Sequence, residues 1–196
     1  MPIVVDHEQR RREVAEIAAD LIAKLGVERV TVREVAAATG YSTTIVSHYF
    51  RDKRELQLLA YRTATLRARR RIEAALAADG ADRLQRCIEA MLPLDDERRR
   101  DWHVWFAFWG VAVADPQFAA EQKLRARYSR ELVERLLAAA PRNGGASHGT
   151  SPAQAAESLV AFIVGIAGQA LFDPDLWPPE RQSAALRAEL QLLGYA

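Results

Sequence analysis

TVREVAAATGYSTTIVSHYF (Thr31–Phe50) holds two short helix signals on either side of one glycine. Thr31 with Glu34 three residues later is a capping box, in which each side chain serves a backbone N–H that the first helical turn leaves free. That helix runs to Thr39, Gly40 offers the left-handed turn, and Ser42 caps a second helix ending near Phe50. A helix-turn-helix needs a small residue where its helices cross, a glycine in the turn and an apolar anchor on the second helix. Ala36, Gly40 and Val46 stand in those three places. The second helix of such a unit lies in the major groove of duplex DNA.

The side chains on that second helix suit the task without carrying formal charge. Ser42, Thr43, Thr44, Ser47, His48 and Tyr49 can all donate or accept hydrogen bonds, and threonine methyls can touch a thymine methyl. Lys53 falls in the first turn of the next helix, where an ammonium and free N–H groups suit a phosphate. Arg33 brings the planar fork that grips guanine or phosphate, and Arg10–Arg12 are in reach of a flanking backbone. Val46 and Phe50 read as packing residues. Residues 1–60 hold nine basic and nine acidic side chains, so local arrangement rather than net charge carries this reading.

Helical periodicity continues in both directions. Upstream, a helix starts at Asp6, repeats apolar residues from Val14 to Leu25 and stops at Gly26. Downstream, Asp52 opens a long helix that ends at Asp79-Gly80, and its Arg67–Arg71 run reads as a solvated face. Further helices are expected at 81–92, 96–113, 116–140, 152–172 and 179–193. Pro141–Pro152 is a Gly/Ser/Pro-rich loop in which His148 is solvated. No strand alternation or internal repeat interrupts the pattern, so the fold class is all-α. The 196 residues, 49% hydrophobic and 27% charged with net charge +1, describe an ordinary globular chain. A lone Cys87 fits a reducing compartment. No secretory leader is apparent, and the apolar run Leu159–Phe172 is short for a bilayer; a cytoplasmic protein with no membrane partner is expected.

WHVWFAFWG (Trp102–Gly110) uses three of the four tryptophans. Trp102, Trp105, Phe106 and Trp109 follow i, i+3, i+4, i+7 and share one helix face, while Phe108 points elsewhere. Such a face is either core or the wall of a site for a flat, apolar or cationic guest. Enzyme signatures are missing: there is no Gly-x-Ser-x-Gly, phosphate-cradling glycine loop, Cys/His metal spacing or Glu-x-x-His repeat. Histidines 7, 48, 103 and 148 are scattered. No catalysis, metal or cofactor is expected; the rival readings are an enzyme or a helical interaction module without sequence-specific DNA binding.

GYSTTIVSHYFRDKREL resembles the signature of the TetR family of transcriptional regulators: turn glycine, hydroxyl-rich recognition helix, aromatic pair, then a lysine opening the fourth helix. SHYF, WHVWFAFWGVAVADPQFAAEQKLRARYSREL and DPDLWPPERQ look like its BetI-type branch, so the resemblance covers nearly the whole chain. It implies a DNA-binding domain at 1–55 and a helical effector-binding and dimerisation domain at 56–196. It implies base or phosphate contacts from Arg33, Thr43, Thr44, Ser47, His48 and Tyr49, and phosphate contacts from Thr31, Ser42 and Lys53. Thr44 and Ser47 depart from the glycine and tyrosine common among relatives, which leaves the operator open. The effector pocket falls to Met91, Trp102, Trp105, Phe106, Trp109 and Phe162. The dimer interface falls to Phe118, Leu124, Tyr128 and Leu132 with Leu159, Phe162, Ile163 and Ile166, where Gly165 and Gly168 allow close approach. The implied function is a repressor that binds a palindromic double-stranded operator as a homodimer and is released by a small-molecule effector, which shifts the population of DNA-binding states.

Overall fold

The computed structural model describes residues 7–78, 80, 82–142 and 150–195. Among these the regular elements are nine helices: α1 His7–Leu25, α2 Val32–Thr39, α3 Thr43–Tyr49, α4 Lys53–Ala77, α5 Arg83–Glu89, α6 Asp96–Ala112, α7 Pro116–Ala139, α8 Pro152–Phe172 and α9 Pro179–Leu192. Each matches an expected helix. The largest difference is α5, which stops at Glu89 rather than at 92. Met91 and Leu92 there donate to Ile88 and Glu89, three residues back, at 2.9 and 3.0 Å. The chain tightens because Pro93 disfavours helical backbone at the residue before it. The expected cap at Asp6, the stop at Asp79 and the loop residue His148 lie outside the described residues.

Contacts divide the chain into two compact units. One runs to Arg67 and takes in Arg100–Ala119; the other comprises Ala68–Arg99 and Ala120–Ala196. In the first unit α1 buries Val14, Ala15, Ala18, Ala19 and Ile22, a helical period whose small members let neighbours approach. Gly26, at φ 82°, ends α1 in the left-handed conformation. Tyr61 stacks on Phe108 with ring centres 4.0 Å apart, and Phe108 meets Phe118 at 4.4 Å. All three rings are buried, each contributing about 1.5–3 kcal/mol against exposure. The buried Gln57 amide donates to the Val27 carbonyl at 3.0 Å, so its burial is satisfied.

The second unit gathers Ile72, Ala90 and Leu132 with Leu76, Met91, Tyr128 and Leu136. Its α8 begins with Ser151 as cap and Gln154 as the returning partner, with proline in the first turn. The 21-residue α8 is, by length and composition, long enough to cross a membrane, so the apolar stretch extends further than the run from Leu159 alone suggests. Leu159, Ile163, Ile166 and four alanines along it are buried within the protein, the pattern of a core helix. Cys87 is buried, and burial pushes its thiol up.

Candidate nucleic-acid interface and aromatic face

Thr31 caps α2 as expected. Its hydroxyl accepts from Glu34 N–H at 3.3 Å, and the Glu34 carboxylate accepts from Thr31 N–H at 2.8 Å and from the Thr31 hydroxyl. That hydroxyl bond, opposed by slight burial, holds the Glu34 carboxyl below the usual carboxylate range. Gly40 follows at φ 71°, a conformation costly for residues with a Cβ. Ser42 then caps α3, accepting from Ile45 N–H at 3.2 Å. Val46 at 0% and Phe50 at 2% exposure anchor the helix. With those two facing in, Ser42, Thr43, Thr44, Ser47 and His48 face solvent, and Tyr49 is half-buried. Arg33 is exposed on α2. Thr43, Thr44, Ser47 and His48 thus form the open side of α3 in the first unit. The Ser42 hydroxyl accepts at its cap and so keeps its proton to donate, whereas the Thr31 hydroxyl already donates to Glu34.

Charges around this surface are arranged more tightly than the sequence suggests. Lys53, opening α4, donates to the Glu28 carbonyl at 2.6 Å and pairs with the Glu28 carboxylate at 3.8 Å. Arg11 is tied to Glu55 at 3.2 Å and lies over the Phe50 ring. Arg10 covers Tyr41, whose hydroxyl donates to Glu13 at 3.0 Å; that bond raises the phenol's pKa. Of the triplet, Arg12 is exposed, while Arg10 and Arg11 are half-buried. His7, at the start of α1, was not assigned from sequence. Its Nδ1 lies 3.2 Å from the Tyr49 hydroxyl, with the His48 ring 6.2 Å away.

One expectation is overturned in part. Within the Arg67–Arg71 run only Arg69 and Arg70 are exposed as expected; Arg67 is only 15% exposed and sits among carboxylates. Its Nε donates to Glu16 at 2.6 Å, a second nitrogen also reaches Glu16, and the third lies 3.2 Å from Asp20 and 3.4 Å from Asp101. Burial disfavours the cation there, but Glu16 and the other carboxylates outweigh it and raise its pKa. Arg71 likewise pairs with Glu97 at 2.8 Å. Glu16 and Asp20 lie one turn apart on α1 outside its buried stripe, and Asp101 directly precedes the tryptophans, so no local spacing ties them to Arg67.

The aromatic face forms on α6. Trp102 and Trp105 are buried, Phe106 and Trp109 half-buried. Trp102 meets Trp105 edge-on at 4.9 Å, and Phe106 meets Trp109 at 4.8 Å. The Trp109 indole nitrogen is buried with no acceptor among the described residues. Phe108 points away onto Tyr61. Met91 and Phe162, both half-buried, belong to the second unit while the four stripe residues belong to the first. The residues expected between two copies divide. Phe118, Leu132, Leu159, Ile163 and Ile166 are already buried within one chain and serve its own core. Leu124 is 64% exposed, and Tyr128 and Phe162 are half-buried. On α8, Ala161, Gly165, Gln169 and Phe172 form an exposed stripe, and a Cβ on Gly165 would meet nothing within 4 Å.

Residues 15–59 match the family described as bacterial regulatory proteins, tetR family, and residues 80–194 match the BetI-type transcriptional repressor, C-terminal. The HTH-type transcriptional regulator PksA of Bacillus subtilis (strain 168) is 31% identical over 114 residues, 57% of this chain and 56% of that protein. The match thus spans little more than half of that regulator. The HTH-type transcriptional regulator BetI of Escherichia coli (strain K12 / DH10B) is 28% identical over 141 residues, 70% of this chain and 71% of that protein. Among solved structures, a transcriptional regulator from Rhodococcus sp. Rha1 superposes with TM-score 0.79 at 28% identity, covering 96% of this chain and 95% of that one. A regulator from Saccharomonospora viridis in complex with choline has TM-score 0.79 at 22% identity, covering 94% and 96%, and shows the shared fold.

Proposed function

Because this chain belongs to the TetR family of bacterial transcriptional regulators and carries a BetI-type repressor C-terminal region, we propose that it is a cytoplasmic repressor that binds a palindromic operator as a dimer and is released by a small-molecule effector. One observation carries the DNA-binding part: α3 is anchored by Val46 and Phe50 and turns Thr43, Thr44, Ser47 and His48 outward as one hydroxyl- and imidazole-bearing surface. Side chains of that kind hydrogen-bond base edges in the major groove. Arg33, Ser42 and Lys53 flank the surface and supply phosphate contacts; Thr31 and Tyr49 complete the set. Selection of duplexes from a random library by the full chain, followed by gel shift at two salt concentrations, tests this reading. An inverted repeat is the expected product, and no enrichment above random sequence overturns it.

The effector is proposed to lie against the exposed parts of Phe106 and Trp109, with Trp102 and Trp105 behind them. The choline held by the Saccharomonospora viridis regulator makes a quaternary ammonium guest the first to try. Magnitudes temper how much the charge can do. Two or three cation–π contacts at about 1–2 kcal/mol each fall short of the roughly 8 kcal/mol behind micromolar affinity, so apolar burial must supply the remainder. The buried Trp109 N–H favours a guest that also carries a hydrogen-bond acceptor. Thermal shift with choline beside its uncharged isostere 3,3-dimethylbutanol separates charge recognition from apolar filling. Stabilisation by both to the same extent would mean that the rings do not read charge.

A further inference from the structure

The geometry points to Arg67 as a positioning residue for operator binding, an inference that rests on the DNA-binding reading above. Three carboxylates surround one guanidinium in the first unit: Glu16 and Asp20 from α1 and Asp101 from α6. Glu16 and Asp20 are one turn apart and so share a face of α1. Asp101 is wholly buried and directly precedes Trp102. Two carboxylates from different helices meet the same terminal nitrogen, Asp20 at 3.2 Å and Asp101 at 3.4 Å, while Glu16 takes Nε at 2.6 Å.

Buried ion pairs add little to net stability compared with well-packed apolar groups. What the guanidinium adds is direction, because its planar fork donates to carboxylates only along fixed lines. Arg67 therefore sets how α1 lies relative to the part of α6 that begins the aromatic face. The helix-turn-helix inherits that setting, since α1 packs on α2 and α2 on α3. A displacement of Asp101 alters the share of the common nitrogen left to Asp20, and with it the seat of α1. None of the three carboxylates needs to touch DNA for this to act.

The test uses the full chain and a duplex that the wild type selects from a random library. Operator affinity is measured across a salt series, well below the melting temperature, for Arg67→Lys, Glu16→Gln, Asp101→Asn and the double variant E16Q/D101N. Each single variant is expected to shift affinity by about fivefold or more, with the salt slope unchanged because no phosphate contact is lost. The double variant should be non-additive, since both effects pass through one guanidinium. Lower melting temperatures with operator affinities within twofold of wild type would make Arg67 a stability residue only and overturn the inference. Should Arg67→Lys or Asp101→Asn not fold, Glu16→Gln answers alone, because its side chain is 42% exposed and tolerates the change. A wild type that selects no duplex overturns the operator reading and this inference together.

Discussion

Lys53 shows how much a single side chain's task depends on what it holds beforehand. Its ammonium is engaged by the Glu28 carbonyl and carboxylate, so a phosphate would compete with that loop contact for it. The side chain is 38% exposed and the pair weak, which makes the exchange inexpensive. Lys53→Ala is expected to weaken binding to all duplexes alike and to lower the salt slope by about one. Affinity measured at several salt concentrations for specific and random duplexes checks this, and loss confined to one operator would make Lys53 a base reader instead. At this scale the sequence was legible for side chains whose chemistry is local: Thr31 and Ser42 cap where their spacing says they should. It was blind where the partner is distant. Nothing near Arg67 in the chain announces Glu16 or Asp101, 51 and 34 residues away, and a basic run with no visible partner reads as solvated. His7 went unassigned for the same reason.

Helices were the easiest level to read, because their signals lie within four residues of one another. Caps, left-handed glycines and the 3.6-residue period each appear in the chain itself, and the one clear boundary difference, α5, follows from Pro93. The capping box on α2 also makes a prediction about pH. Glu34 has its pKa lowered chiefly by the Thr31 hydroxyl, so the folded chain resists protonating it. The stability this adds is present above the unfolded value of about 4.3 and is lost as pH falls through the lower folded value. Melting temperatures followed from about pH 5 down to about pH 3 should fall less steeply for Glu34→Gln, which keeps the cap geometry without the titration. Identical slopes for wild type and variant would locate the acid sensitivity elsewhere. Amphipathic faces were less legible than boundaries. Periodicity says that Phe118, Leu159 and Ile163 face something apolar, but not whether that is their own chain or another copy.

For the molecule as a whole, assembly is the property most exposed to test. The exposed stripe on α8 sets Ala161, Gly165 and Gln169 beside Phe172, which is 90% exposed, and Gly165 opens onto empty space. Gly165→Glu therefore disturbs nothing inside one chain, yet places a charge where a second helix would approach. Light scattering is expected to show a dimer for wild type and a monomer for this variant, with operator affinity falling because one half-site is read alone. A variant that remains dimeric would move the interface off α8.

The two compact units part at Arg67, Arg99 and Ala119, and each of those points lies inside a helix, α4, α6 and α7 respectively. No loop joins them that a protease could sever, and melting one side would strip turns from three rods the other side also owns. Heat or urea should then remove both in a single cooperative step, seen as coincident loss of far-ultraviolet ellipticity and tryptophan emission. Two separated transitions would mean that those rods break cleanly at the seam.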